Sequence, residues 1–430
     1  MPTNNFGLHY VCKRWFQLIS NLPRTVLVNK DNVKPFLACL ERMQSTDTSS
    51  ATTRNDQDWN LAKNVTYLLW LVKTTNQKKE NTERMCRILH NNSTITHIKT
   101  SDSSISLFGK NDSLPKKLVH FAAETDDESK SIKSRLTALY RELVKCPFLV
   151  SIDIGRYNVA GHDPFGTESL LEKVFLTEKM KSKSTSPLTH FRYQGEIEHP
   201  DFISPLALCT ALVSIKLDTT WNLISLSFVA KVLAANPNLT TLELPIEGGG
   251  YKVLYEAIFA HPSLRSLCIN FDSYKTKQDH VDSFIDMFQK KKNTKISDIG
   301  FKAADHTIHL LDAFLADQVV SHLQIDMWNA EIQSSIVKSM KAGSSPLKCV
   351  SINYQGDDPI KGLLEDPNNK EQGTTPIEGH INMVSPSLDK YTSHATYQLT
   401  CNSGTVGDND RYVTIIVLPK VSHYLFIDYP

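Results

Sequence analysis

The clearest regularity in the chain is a spacing of apolar residues. One apolar residue is followed by two variable positions, a second apolar residue, one variable position and a third apolar residue, and the phrase then returns. Clear copies are Leu149-Ile152-Ile154, Leu212-Ile215-Leu217, Leu239-Leu242-Leu244, Leu264-Leu267-Ile269 and Leu347-Val350-Ile352. Looser copies are Val65-Leu68-Trp70, Ile95-Ile98, Leu118-Phe121-Ala123, Leu188-Phe191-Tyr193, Ile296-Ile299-Phe301 and Val320-Leu323-Ile325. Their starts are separated by 23 to 39 residues. Side chains alternate between the two faces of a strand, so Leu242 and Leu244 point into a core while Thr241 and Glu243 point away. Leu239 enters the core from the bend before the strand.

Between the phrases the period lengthens to that of a helix. Leu226, Val229, Ala230 and Leu233 share one helical face. So do Val281, Phe284, Ile285 and Phe288; Ile132, Leu136, Leu139 and Leu143; and Ile332, Ile336 and Met340. Pro147, Pro187, Pro237, Pro262 and Pro346 stand one or two residues before a leading apolar position. Proline ends a helix and biases its predecessor toward extended backbone, so it hands the chain to the next strand. Each unit is therefore strand, loop, helix, loop. One such unit buries too little apolar surface to offset the entropy of ordering it, and neighbours must stack.

Over about residues 60–355 this pattern resembles the leucine-rich repeat family, in its ribonuclease-inhibitor-like branch. The match is one of pattern. The family's Asn or Cys late in the phrase is kept at Asn158 and Asn329, whereas Glu247 and Gln355 stand in ninth positions. The expected fold is α/β: a leucine-rich-repeat solenoid, or horseshoe, with parallel strands on the concave face and helices outside. Alternation places His190, Arg192, Ser214, Lys216, Thr241, Glu243, Ser266, Cys268, Asp298, His322 and Gln324 on that face, where a protein client would bind.

The ends differ from the array. Val11, Cys12, Trp15, Leu18 and Ile19 belong to a stretch whose V-C-K-R-W run resembles the last helix of an F-box. The resemblance implies docking on the Skp adaptor of a cullin-based ubiquitin ligase, with the repeats as the substrate-recognition part. Only ten residues precede Val11, which leaves no room for the other two F-box helices. The expectation is a late-starting gene model or a remnant that caps the solenoid. The organisation expected is thus an F-box-like remnant or cap at 1–30, a solenoid at 31–355, a polar loop at 356–380 and a β-rich cap at 381–430. Extended stretches at Tyr397–Cys401, Tyr412–Leu418 and His423–Ile427 suggest that cap.

Charge changes little. With 47 basic and 46 acidic residues the net charge is +1, which offers no attraction to nucleic acid or an anionic membrane. No apolar run is long enough to span a membrane and the N-terminus lacks a secretory pattern, so a cytoplasmic or nuclear protein is expected, a monomer within a larger complex. The eight cysteines are scattered, without a C-x-x-C, which argues for a reducing compartment.

Candidate chemistry is sparse. His97, His120, His190 and His322 share the third position of the phrase, and only the adjacent pair His97 and His120 lies close enough to share a ligand. They read as solvated polar groups on a binding face. Lys290–Lys292 end a helix, where cations are favoured. Gly248-Gly249-Gly250 lacks the phosphate-binding patterns. There is no G-x-S-x-G, H-E-x-x-H or kinase-like set, so no catalytic residue, cofactor or metal is expected. A binding scaffold is the leading expectation, with a role in a ubiquitin ligase implied by the F-box resemblance. The alternatives are a stand-alone scaffold or inhibitor and a GTPase-activating repeat protein.

Overall fold

The computed structural model describes residues 24–29, 33–45, 65–70, 79–110, 112–124, 131–157, 188–195, 206–207, 209–218, 226–246, 250–271, 277–291, 295–302, 307–342, 346–354, 380–385, 395–401 and 411–419. The chain divides into two compact units, Met1–Leu212 and Val213–Pro430.

The first unit contains strands β1 (Arg24–Val28), β2 (Val65–Trp70), β3 (His97–Ser101), β4 (His120–Glu124), β5 (Ser151–Tyr157) and β6 (His190–Gly195). Each pairs with the next in parallel. Helices α1 (Val33–Ser45), α2 (Lys79–His90), α3 (Asp102–Phe108) and α4 (Ser131–Val144) alternate with them and pack in sequence order.

The second unit repeats the plan. Strands β7 (Ser214–Asp218), β8 (Thr241–Ile246), β9 (Ser266–Phe271), β10 (Asp298–Lys302), β11 (His322–Ile325) and β12 (Cys349–Tyr354) alternate with helices α5 (Leu226–Ala235), α6 (Tyr251–Ala260), α7 (Gln278–Gln289), α8 (Thr307–Leu315) and α9 (Ala330–Ala342). These strands also pair in order and in parallel. Three further strands follow, β13 (His380–Ser385), β14 (Ala395–Cys401) and β15 (Arg411–Pro419). The last of them lies parallel beside β12, and β14 and then β13 continue antiparallel beyond it. The architecture is an α/β solenoid of parallel strands and alternating helices.

The apolar residues of all eleven phrases are buried, none more than 7% exposed. Where the second copy lacks its third apolar residue, Thr100 is buried instead and its hydroxyl donates to the Trp70 carbonyl, 3.3 Å. Helix residues complete the core. Val281, Phe284, Ile285 and Phe288 are buried as their spacing predicts, and on α5 Val232 is buried while Ala230 is not. Ring edges of Tyr255, Phe271 and Phe314 meet Phe284 at centroid distances of 5.2 to 6.2 Å, a favourable edge-to-face geometry.

Two local devices hold neighbouring turns in register. At the second phrase position one carbonyl accepts two N–H groups from the next unit: Thr96 O from Val119 and His120, Thr240 O from Arg265 and Ser266, Ser297 O from Ser321 and His322. Three residues before the leading apolar position, a polar side chain often closes the return. Asn92 Oδ1 accepts from Thr94 N and Ile95 N, and Asp317 Oδ1 from Val319 N and Val320 N. Asn236 and His261 stand at the same position, and His261 Nε2 lies 3.1 Å from Asn236 O, tying one return to the next.

Three features depart from the sequence expectation. Strand β1 lies within the segment read as an F-box-like remnant; Val26 and Val28 align with Leu68 and Trp70, but proline occupies the leading slot at 23 and disguised the phrase. Strand β15 neighbours β12 in space although two strands intervene in sequence. Lys291, expected only to end a helix, has its side chain covered against Asp317, with its ammonium 3.9 Å from the Phe288 ring centroid. Gly250, preceding α6, has φ of 90°, a backbone region that favours glycine. The stretch expected as a strand at 423–427 lies outside the described residues.

Candidate functional site

With the phrase positions buried, the third and fifth positions of each strand line the opposite, open face of the sheet. In the first unit the third-position row runs Tyr67, His97, His120, Ser151, His190, and the fifth-position row Leu69, Lys99, Ala122, Asp153, Arg192. In the second unit the rows are Ser214, Thr241, Ser266, Asp298, His322, Cys349, Thr414 and Lys216, Glu243, Cys268, Gly300, Gln324, Ser351, Ile416. All eleven residues that alternation assigned to this face occupy these two rows. They fall into two groups: His190 and Arg192 in the first unit, the other nine in the second. Ser214 and Cys268 are largely covered there, whereas His190 is exposed and the rest are half-buried.

The first unit's face is aromatic and basic. Tyr67 and His97 stack with ring centroids 4.2 Å apart, and His120 follows at 5.7 Å. His97 Nδ1 lies 2.8 Å from Thr96 Oγ1, and His120 Nδ1 lies 2.6 Å from Ser151 Oγ. Burial, aided by the charge of neighbouring His120, pushes His97 down to about 4, so it is neutral at neutral pH. Next along the sheet Arg192 pairs with Asp153 directly across the strands, 3.2 Å. The pair is partly solvated and fixes side-chain direction more than it adds stability. The ring ladder itself was not foreseen, because stacking depends on register as well as on slot.

The second unit's face mixes charges. Lys216 sits opposite Glu243, and Asp298 opposite His322. His322 Nδ1 lies 3.2 Å from Asp298 Oδ1, and its Nε2 lies 2.7 Å from Ser351 Oγ. Ser297 Oγ donates to Asp298 Oδ2, 2.6 Å. Hydrogen bonding to Asp298, then to Cys349, raises His322 to about 9, and the same bond to His322 holds the Asp298 carboxyl below its ordinary range. Gly300 packs closely on its neighbours: a Cβ there would lie 2.8 Å from Cys268 Sγ and 3.2 Å from Gln324 Cβ. Cys349 and Ser351, in the last phrase, were absent from the sequence-based assignment although the same alternation rule finds them.

Among the described residues no cluster of three or more His, Cys, Asp or Glu side chains is arranged to hold a metal ion, and no helix is long and apolar enough to cross a membrane. Val11, Cys12, Trp15, Leu18 and Ile19, the residues of the F-box resemblance, lie outside the described residues. No family model matches the chain, and no curated protein matches it.

Proposed function

We propose that the chain is a protein-binding scaffold whose open strand face holds a client. The carrying observation is the pair of outward rows in each unit, where Tyr, His, Lys, Asp and Arg side chains are presented at a fixed spacing of about 4.8 Å from strand to strand. Such a face offers donors, acceptors, both charges and stacking surfaces on a rigid backing, which suits recognition of a structured polypeptide. In that role the chain needs no catalytic residue of its own.

The proposal extends to the substrate-recognition part of a cullin-based ubiquitin ligase, in the cytoplasm or nucleus. This extension draws its support from the V-C-K-R-W stretch alone. Docking would place Trp15, Val11, Leu18 and Ile19 against the adaptor, Cys12 beside them, and leave the open face for the client. The two halves separate experimentally. Titration of the full chain with purified Skp adaptor should show binding that Trp15→Ala abolishes. Photo-crosslinkers placed at Glu243 and at Val253, which lies on α6 and is exposed, should capture client from Glu243 only. Absence of adaptor binding removes the ligase role and leaves the scaffold. Equal capture from both positions removes the open face as the client site.

A further inference from the structure

The open face of the second unit carries one arrangement that client binding does not require. His322 on β11 is held between Asp298 on β10 and Ser351 on β12, with its Nδ1 toward the carboxylate and its Nε2 toward the hydroxyl. A carboxylate on one imidazole nitrogen and a serine hydroxyl on the other is the disposition by which a histidine is oriented to take the serine proton. It is recognised by geometry, not by chain order, and here the three groups come from three consecutive parallel strands. The Ser297 hydroxyl fixes the second carboxylate oxygen. Gln324 lies directly opposite Ser351 on β11, and Ile416 lies opposite it on β15.

We propose that Ser351 is a nucleophile toward small carboxylic esters, with His322 as its general base, Asp298 as the residue positioning the imidazole, and Gln324 as donor to the oxyanion. Ser351 Oγ adds to the ester carbonyl carbon while its proton passes to His322 Nε2. The carbon–alkoxide bond then breaks, and the alkoxide leaves with that proton as an alcohol. Water, deprotonated by the same nitrogen, cleaves the acyl-serine, releasing the acid and restoring the hydroxyl. Side-chain amides serve as oxyanion donors when aimed at the developing charge, and Gln324 is the amide next to the nucleophile. Ser351 is only 6% exposed, which disfavours bulky or branched acyl groups, and Ile416 is its apolar neighbour across the strands. This chemistry is independent of any client on the same face.

The groups facing His322 are Asp298 from β10 and Cys349 and Ser351 from β12. Asp298 and Cys349 keep the imidazole protonated up to about pH 9, and a protonated imidazole accepts no proton. Reactivity therefore rises with pH toward 9.

The test is labelling of the full chain with a biotinylated fluorophosphonate, in which the serine oxygen–phosphorus bond forms, fluoride leaves and the serine proton passes to His322. Peptide mass spectrometry should locate the label on Ser351, with a rate that climbs between pH 7 and 9. His322→Gln should label at least about 100-fold more slowly at pH 9. Asp298→Asn should move the rise to lower pH, because the imidazole loses the carboxylate that holds its proton; a merely structural role would leave the profile in place. Gln324→Ala should slow hydrolysis of p-nitrophenyl acetate without shifting the melting temperature. Folded wild-type chain left unlabelled at Ser351 across this range overturns the proposal, and so does labelling of His322→Gln at the wild-type rate. The wild-type result decides by itself should a variant fail to fold.

Discussion

At the residue scale, two histidines of the open face, His97 and His322, respond to pH in opposite directions. His97 is pushed down to about 4 by burial. Between its ordinary range near 6.5 and 4, the unfolded chain takes a proton that the folded chain refuses, so stability falls as pH drops through that window. His322 is raised, so its contribution is complete below about 6.5 and fades as pH rises through about 9. Asp298, held low, contributes above the ordinary carboxylate range and loses its effect as pH falls below it. Replacing His97 by Gln should flatten the acid limb. Urea unfolding at pH 7 and pH 4.5 should show a larger loss in the wild type, by on the order of 1–2 kcal/mol after allowance for partial exposure. An equal loss in both would show that His97 is not the group responsible. Alternation alone assigned the face residues to their slots. It did not reveal that His322 reaches Ser351, because the contact is a diagonal between phrases, and its existence depends on strand register.

At the scale of elements, the phrase carries most of the information. Strands, buried positions and helix faces follow from two periods, one near 2 and one near 3.6. What escaped was non-local or disguised. Strand β1 lost its leading apolar residue to proline, and β15 is apolar on both faces at Ile415 and Ile416, so its pattern could not say which neighbour it joins. The returns hid a second device in plain residues: the polar side chain that often stands three positions before a lead, as at Asn92, Asn236, His261 and Asp317. Asp317 shows its weight. It accepts from Val319 N and Val320 N and neutralises Lys291, which is only 6% exposed. Removing one partner of a buried pair leaves an uncompensated charge, typically about 3–5 kcal/mol. Asp317→Ala should therefore destabilise by about that amount in urea titration; Lys291→Met should cost less, because the carboxylate it leaves is the more solvated partner and keeps its two backbone donors, and the methionine stem still covers Phe288. Matching losses for the two variants would argue that the charge pair, which both remove, outweighs the backbone bonds, which only Asp317→Ala removes.

At the scale of the whole molecule, one rule explains both the core and the face. Leucine, isoleucine and valine at the phrase positions stack within each unit, and the positions between them are carried outward in rows that run from strand to strand. Both proposals for the open face depend on those rows: the proposed client binding would use their breadth, and the Asp298–His322–Ser351 arrangement uses their register. The measurement that bears on this most directly is the distance along one row. Thr241, Ser266, Asp298, His322, Cys349 and Thr414 are successive partners on neighbouring strands. Genetically encoded spin labels at Thr241 and Thr414 should give a narrow distance distribution near 24 Å, five strand spacings of about 4.8 Å each. A broad distribution, or one centred beyond roughly 35 Å by the same spacing rule, would mean that these strands do not lie side by side and would contradict the account.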